Sequence, residues 1–217
     1  MKIYVAGDSH LTHYTKIGAA FRGLHITNAV QEADLILIAE DMPTDEQGNR
    51  VTGHIENFVH QYRKQDKPII LMSQVAPGFC RRQGYANLYH YPETLRIKDS
   101  YERACHPDYI ILGSDGSLCD EVVDYASAFK CPQYHMFYED AEFAKIAVNT
   151  ALASQVDYAN LMSAACKKLG ADWNTVSEAI KNDKRIGQHA YLTPGRWQDS
   201  LHLLRDSVTL KEIEDAR

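Results

Sequence analysis

The chain has 217 residues, of which 45% are hydrophobic and 24% charged, and its formal net charge is -6. Such a composition suits a globular chain of one large domain or two small ones. The net negative charge excludes broad electrostatic attraction for nucleic acid or an anionic membrane. The longest apolar runs, such as Leu35-Ile36-Leu37-Ile38-Ala39, are too short to cross a bilayer. The opening Met1-Lys2-Ile3-Tyr4-Val5-Ala6-Gly7 reads as a first strand rather than a signal peptide, so the expected location is cytoplasmic.

In chain order, strands are predicted near Lys2–Ala6, Leu24–Thr27, Asp34–Glu40, Pro68–Gln74, Tyr109–Leu112 and Gln133–Phe137. Helices are predicted near Tyr14–Arg22, His54–Lys64 and Ser117–Ala128. Alternation of this kind predicts an α/β fold with a Rossmann-like, mainly parallel sheet. The uninterrupted apolar strands 34–40 and 68–74 fit burial on both faces. From Asp140 to Lys168 there is neither proline nor glycine, which predicts one helix about 40 Å long. Its apolar residues run most of the way round, so it should be covered on several sides. Gly170 reads as its stop and Asp172 as the cap of a further helix near Thr175–Lys181. The expected organisation is therefore a Rossmann-like α/β domain over 1–138 and a helical dimerisation region over 139–217.

The five cysteines, Cys80, Cys105, Cys119, Cys131 and Cys166, are odd in number and have no close metal-type spacing. They read as reduced thiols. Asp8, His10 and His13 are polar neighbours, and the two histidines would share a face of a helix starting there. No further ligand is identifiable, so no metal site is assigned.

A strand opening through a glycine turn into a helix is where a dinucleotide pyrophosphate sits. Here the turn reads Gly7-Asp8-Ser9-His10-Leu11-Thr12. Of the three fingerprint glycines only Gly7 is present, Ser9 carries a side chain where backbone should approach phosphate, and Asp8 adds negative charge. No acidic ribose-binding residue ends the second strand.

Several further segments occur in a telling order: Ala33–Ala39 followed by Met42-Pro43-Thr44, Ser73-Gln74-Val75-Ala76-Pro77-Gly78, Tyr91-Pro92-Glu93-Thr94-Leu95-Arg96, Pro107–Gly113, Lys145 with Asn149, Arg185-Ile186-Gly187, Pro194-Gly195 and Arg205-Asp206. Together they resemble the UDP-glucose/GDP-mannose dehydrogenase family. The resemblance implies NAD-dependent oxidation of a nucleotide sugar to its uronic acid through a cysteine-bound intermediate. It implies cofactor contacts at Gly7, Pro43, Ser73 and Gln74, the last standing at a family threonine. It implies substrate contacts at Leu95 and Arg185, the arginine being one that members contribute across a dimer. Glu93 matches the catalytic glutamate, Lys145 and Asn149 the oxyanion donors, and Asp206 the aspartate that carries protons. The family's cysteine nucleophile stands eight residues after the proline of the Pro-Gly pair, where this chain has His202. Imidazole is a weaker trap for an aldehyde, so the second oxidation is expected to be lost. The family also continues into a second Rossmann-like domain beyond the span matched here.

The expectation is thus a divergent nucleotide-sugar dehydrogenase relative, homodimeric through its long helix, with NAD as the implied cofactor and a nucleotide sugar as the implied small-molecule partner. The alternatives are a non-catalytic binding or regulatory homodimer, an enzyme performing a single two-electron oxidation, and one half of a split dehydrogenase.

Overall fold

The computed structural model describes residues 1–216. Seven strands form one sheet: β1 (Lys2–Ala6), β2 (His25–Ile26), β3 (Leu35–Ile38), β4 (Ile69–Leu71), β5 (Leu88–His90), β6 (Ile110–Ser114) and β7 (Gln133–Phe137), in the order β2-β1-β3-β4-β5-β6-β7. All neighbours are parallel except β5 and β6. Every residue of β3 and β4 is buried, as befits β-branched and leucine-rich strands covered on both faces. The helices are α1 (His10–Phe21), α2 (Gly53–Tyr62), α3 (Phe79–Arg82), α4 (Ser100–Cys105), α5 (Asp120–Ser127), α6 (Tyr138–Leu169), α7 (Trp173–Ile180) and α8 (Leu201–Asp215).

The chain divides into two compact units. The first comprises Met1–Pro43 and Arg50–Lys145; the second comprises Thr44–Asn49 and Ile146–Arg217. In the first unit, two apolar clusters lie against the sheet. One includes Ile3, Leu11, Leu37, Tyr91, Tyr125 and Phe129; the other includes Ile36, Ile38, Ile55, Val59, Phe79 and Tyr138. Helix α1 starts four residues earlier than the apolar pattern predicts, because Ser9 and Thr12 form a reciprocal capping box that satisfies its first N–H groups. Glu142, 1% exposed, is folded inward as an acceptor: it takes the N–H groups of Gly78 at 2.5 Å and Cys80 at 2.8 Å. It thereby satisfies backbone donors at the start of α3 that the short helix itself leaves open.

The second unit holds most of α6, α7, α8 and the loop between the last two. Asp172 caps α7 through the N–H groups of Asn174 and Thr175. Trp173, Ala159 and Leu192 form its small core. The loop is strapped to α6 by polar side chains. Asn160 both donates to and accepts from Gly195, at 2.8 and 2.9 Å, and Trp197 Nε1 donates to Asp157 at 2.9 Å. Gly48, at φ +91°, lies so close to α8 that a β-carbon there would stand 3.0 Å from Leu204 Cγ. Among the described residues no helix is long and apolar enough to cross a membrane.

Candidate functional site

The cofactor end is built where the strand order turns. From β1 the chain steps to β2 on one side and to β3 on the other, and in open α/β sheets the crevice beyond the strand ends at such a point receives ligands. Gly7 leaves β1 with φ +124°, and a β-carbon there would stand 2.5 Å from Thr12 Oγ1 and 2.6 Å from Glu40 Oε2. The glycine is therefore required for a close approach, but the approaching group belongs to the protein. The Asp8 N–H donates to Glu40 Oε2 at 2.7 Å. The Ser9 N–H donates to Thr12 Oγ1 at 3.0 Å, the Asp41 N–H donates to Ser9 Oγ at 3.0 Å, and the Thr12 hydroxyl donates to the Ala39 carbonyl. Backbone donors that would cradle a pyrophosphate are thus engaged internally, one of them by a carboxylate in an anion's place. Asp8 and Asp41 are exposed beside it and add repulsion for phosphate. Strand β2 ends into Thr27 and Asn28, with no carboxylate for a ribose. These residues do not fit a dinucleotide bound in the Rossmann manner.

The other residues assigned to a cofactor tie strand ends together. Ser73, fully buried, donates to the Glu40 carbonyl at 2.6 Å. Gln74 donates from Nε2 to Glu93 Oε2 at 2.7 Å. Pro43 accepts the N–H of Val51 at 2.8 Å and so closes the loop after β3.

Glu93 follows β5 and is positioned by its own backbone, whose N–H donates to the Met72 carbonyl at 3.3 Å. Its Oε1 is buried and has no hydrogen-bond partner among the described residues. Burial pushes its pKa up, while the Lys145 ammonium and the Gln74 bond act in the opposite sense. Leu95, two residues on, packs against the apolar cluster that contains Tyr91 and Tyr125. The first unit therefore brings Gln74, Glu93 and Lys145 into one electrostatic group.

In the second unit, Asn149 on α6 donates to Asp206 Oδ2 at 2.6 Å, and Arg205 Nε donates to Asp206 Oδ1 at 3.2 Å. These three are 5%, 0% and 2% exposed. Charged groups removed from water to that extent persist only when well paired. His202 lies in the first turn of α8 and is exposed. Arg185 is exposed too, and forms a surface ion pair with Asp183 at 2.6 Å; such a pair is worth little. Cys80 and Cys105 are buried, and burial together with the Glu142 charge pushes the Cys80 thiol far up. A thiol so protonated is a poor nucleophile.

Glu40 is the residue that sequence reasoning passed over. Its signal is visible in hindsight as two consecutive acids, Glu40-Asp41, at the end of a strand facing the ligand crevice.

Comparison with known proteins shows what the chain is similar to. Residues 139–210 match the model of the UDP-glucose/GDP-mannose dehydrogenase family, central domain. The chain is 26% identical over 201 residues to UDP-glucose 6-dehydrogenase of Rickettsia felis, covering 84% of this chain and 45% of that protein. It is 26% identical over 171 residues to the Bacillus subtilis UDP-glucose 6-dehydrogenase, covering 72% and 39%. The chain thus spans less than half the length of these relatives. Among solved structures, a UDP-glucose dehydrogenase from Pyrobaculum islandicum superposes with a TM-score of 0.75 at 20% identity, over 99% of this chain and 68% of that one. A GDP-mannose dehydrogenase from Pseudomonas aeruginosa gives 0.71 at 15% identity, again over 99% and 68%. In this sheet, in the matched segment 139–210 and in these relatives, the chain is similar to the UDP-glucose/GDP-mannose dehydrogenase family.

Proposed function

We propose that this chain recognises a nucleotide sugar without oxidising it. The observation that carries the reading is the Glu40 carboxylate accepting the Asp8 N–H inside the β1–α1 turn. A hydride acceptor bound across that turn would have to displace a carboxylate and sit among three acidic side chains. His202 at the family's cysteine position supports the same reading, because no thiolate is present to capture an aldehyde.

In the first unit, Glu93, Leu95 and Lys145 supply an acid, an apolar contact and a cation, which suits the hydroxyls and phosphates of a nucleotide sugar. In the second unit, Asn149 supplies an amide and Arg185 a cation. Asp206 holds Asn149 in one orientation and leaves its carbonyl oxygen to accept. The chain is also proposed to pair with a second copy through α6, where Val148, Tyr158 and Leu161 are 39%, 43% and 65% exposed, and to work in the cytoplasm.

The experiment is calorimetric titration with UDP-glucose and with GDP-mannose, followed by assay for NADH in the presence of NAD. The reading expects heat from one of the sugars and no NADH. Turnover to NADH contradicts it, and silence with both sugars removes the recognition half.

A further inference from the structure

We propose that the open edge of β7 pairs antiparallel with the same edge of a second copy, centred on His135, so that two sheets join into one. Among the described residues β7 ends the sheet and has a neighbouring strand on one side. An open edge presents a row of unpaired N–H and C=O groups, and proteins blunt such edges by shortening them or by placing charge or proline on them. The opposite edge is blunted in this way, because β2 is His25–Ile26 alone. The β7 edge is left long. Its five residues, Gln133-Tyr134-His135-Met136-Phe137, hold no lysine, carboxylate or proline. Tyr134 and Phe137 are 51% and 61% exposed, and the Tyr134 ring is already held by edge contact with Tyr109.

The ladder with β6 fixes which groups face outward. The Ile110 N–H donates to the Pro132 carbonyl at 3.0 Å, and Ile110 lies opposite Gln133. Backbone groups alternate sides along a strand. Those of Pro132, Tyr134 and Met136 therefore point at β6, and those of Gln133, His135 and Phe137 point away from it. Pro132 costs the outer edge no donor.

The edge is complementary to itself. Two identical strands paired antiparallel are related by a two-fold axis, the symmetry of most dimers. Side chains directly opposite each other share a face, so the axis passes through a residue rather than between two. Centred on His135, all three outward residues find partners: His135 meets its own copy, and Gln133 meets Phe137 on either side. Centred on Tyr134 or Met136, one of the three falls beyond the partner strand. The His135 register also sets Tyr134 against Met136, an aromatic–thioether contact. It brings the exposed Lys130 that precedes one strand alongside the exposed Asp140 in the first turn of α6 of the other copy, so opposite charges meet at both ends. This contact is independent of nucleotide-sugar recognition and of pairing through α6; the two contacts together would assemble four copies or more.

The test is oxidative cross-linking and sedimentation of the full chain. In a hydrogen-bonded antiparallel pair the Cα atoms lie about 5.5 Å apart, within the span of about 4.4–6.8 Å that a disulfide bridges. His135→Cys is expected to form covalent dimers under mild oxidation, above the background set by the five native cysteines. Tyr134→Cys, offset from its own copy by two residues, is expected to form none beyond that background. His135→Pro removes an outward donor and leaves the β6 ladder intact; it should raise the dissociation constant of the dimer about tenfold or more. Lys130→Glu should weaken pairing several-fold, and adding Asp140→Lys should restore it. If His135→Pro melts early, Tyr134→Lys, at an exposed side chain, takes its place. No cross-link with His135→Cys overturns the proposal, as does equal cross-linking of both cysteine variants. A dimer unaffected by His135→Pro but split by Leu161→Glu also overturns it and assigns the pairing to α6 alone.

Discussion

The β1–α1 turn and the buried Asn149–Asp206 pair have met opposite fates. Both are built from polar groups, one set in each unit. In the turn, the groups that would face a ligand have been redirected to the protein's own atoms: Glu40 accepts from Asp8, and Ser9 and Thr12 cap each other. In the second unit, a fully buried carboxylate is still served by Asn149 and Arg205. The difference shows how binding sites are lost. An exposed turn closes with a few side chains, each worth about 1 kcal/mol. A buried charged pair resists piecemeal change, because removing one member strands the other.

The sharpest way to break that contrast is Asp206→Ala. It deletes the carboxylate that two buried donors share and should destabilise the chain by about 3–5 kcal/mol in denaturant unfolding. A loss under about 1 kcal/mol would show that the pair is not the rigid element described here.

His90 probes the floor beneath the cofactor end. It is fully buried on β5, with Nε2 3.2 Å from the Ser73 carbonyl. Burial lowers its pKa from 6.5 to about 4. A depressed histidine folds as the neutral ring, so its contribution is intact above pH 6.5 and is lost as the pH falls from 6.5 towards 4. The amount is on the order of 3 kcal/mol. His90→Gln should flatten the stability profile over that interval relative to the parent chain; identical slopes would contradict the assignment.

The smallest effect belongs to Glu40→Ala. It removes one charge-assisted hydrogen bond at a half-buried position and should cost about 1 kcal/mol in thermal unfolding. A stabilised variant would mean that repulsion among Asp8, Glu40 and Asp41 outweighs the bond.

Much of the sheet is legible in the sequence, because β1, β3, β4, β6 and β7 are apolar or β-branched runs bounded by turn residues. Strand β5 is not. Leu88-Tyr89-His90 is three residues long and ends in a histidine, and its burial depends on pairing with β4 and β6. Helix α8 escapes for another reason: Arg205, Asp206 and Thr209 are its buried residues, so its inward face is polar and the usual apolar stripe is missing. Helix α6 is plain by contrast, since 29 residues without glycine or proline leave little else to form.

The candidate site divides the same way. The resemblance names Asn149 and Asp206, but their contact spans 57 positions, which no local pattern encodes. The loss of fingerprint glycines is visible in the chain. The closure of the turn by Glu40 is not, because it depends on how near the end of β3 comes to the end of β1.

The most direct measurement is calorimetric titration of the purified chain with NAD. A turn already filled by its own carboxylate predicts no heat of binding up to millimolar coenzyme. Saturable binding in the micromolar range, abolished by substitution of Gly7, would contradict the account and restore the crevice between β1 and β3 as a working coenzyme site.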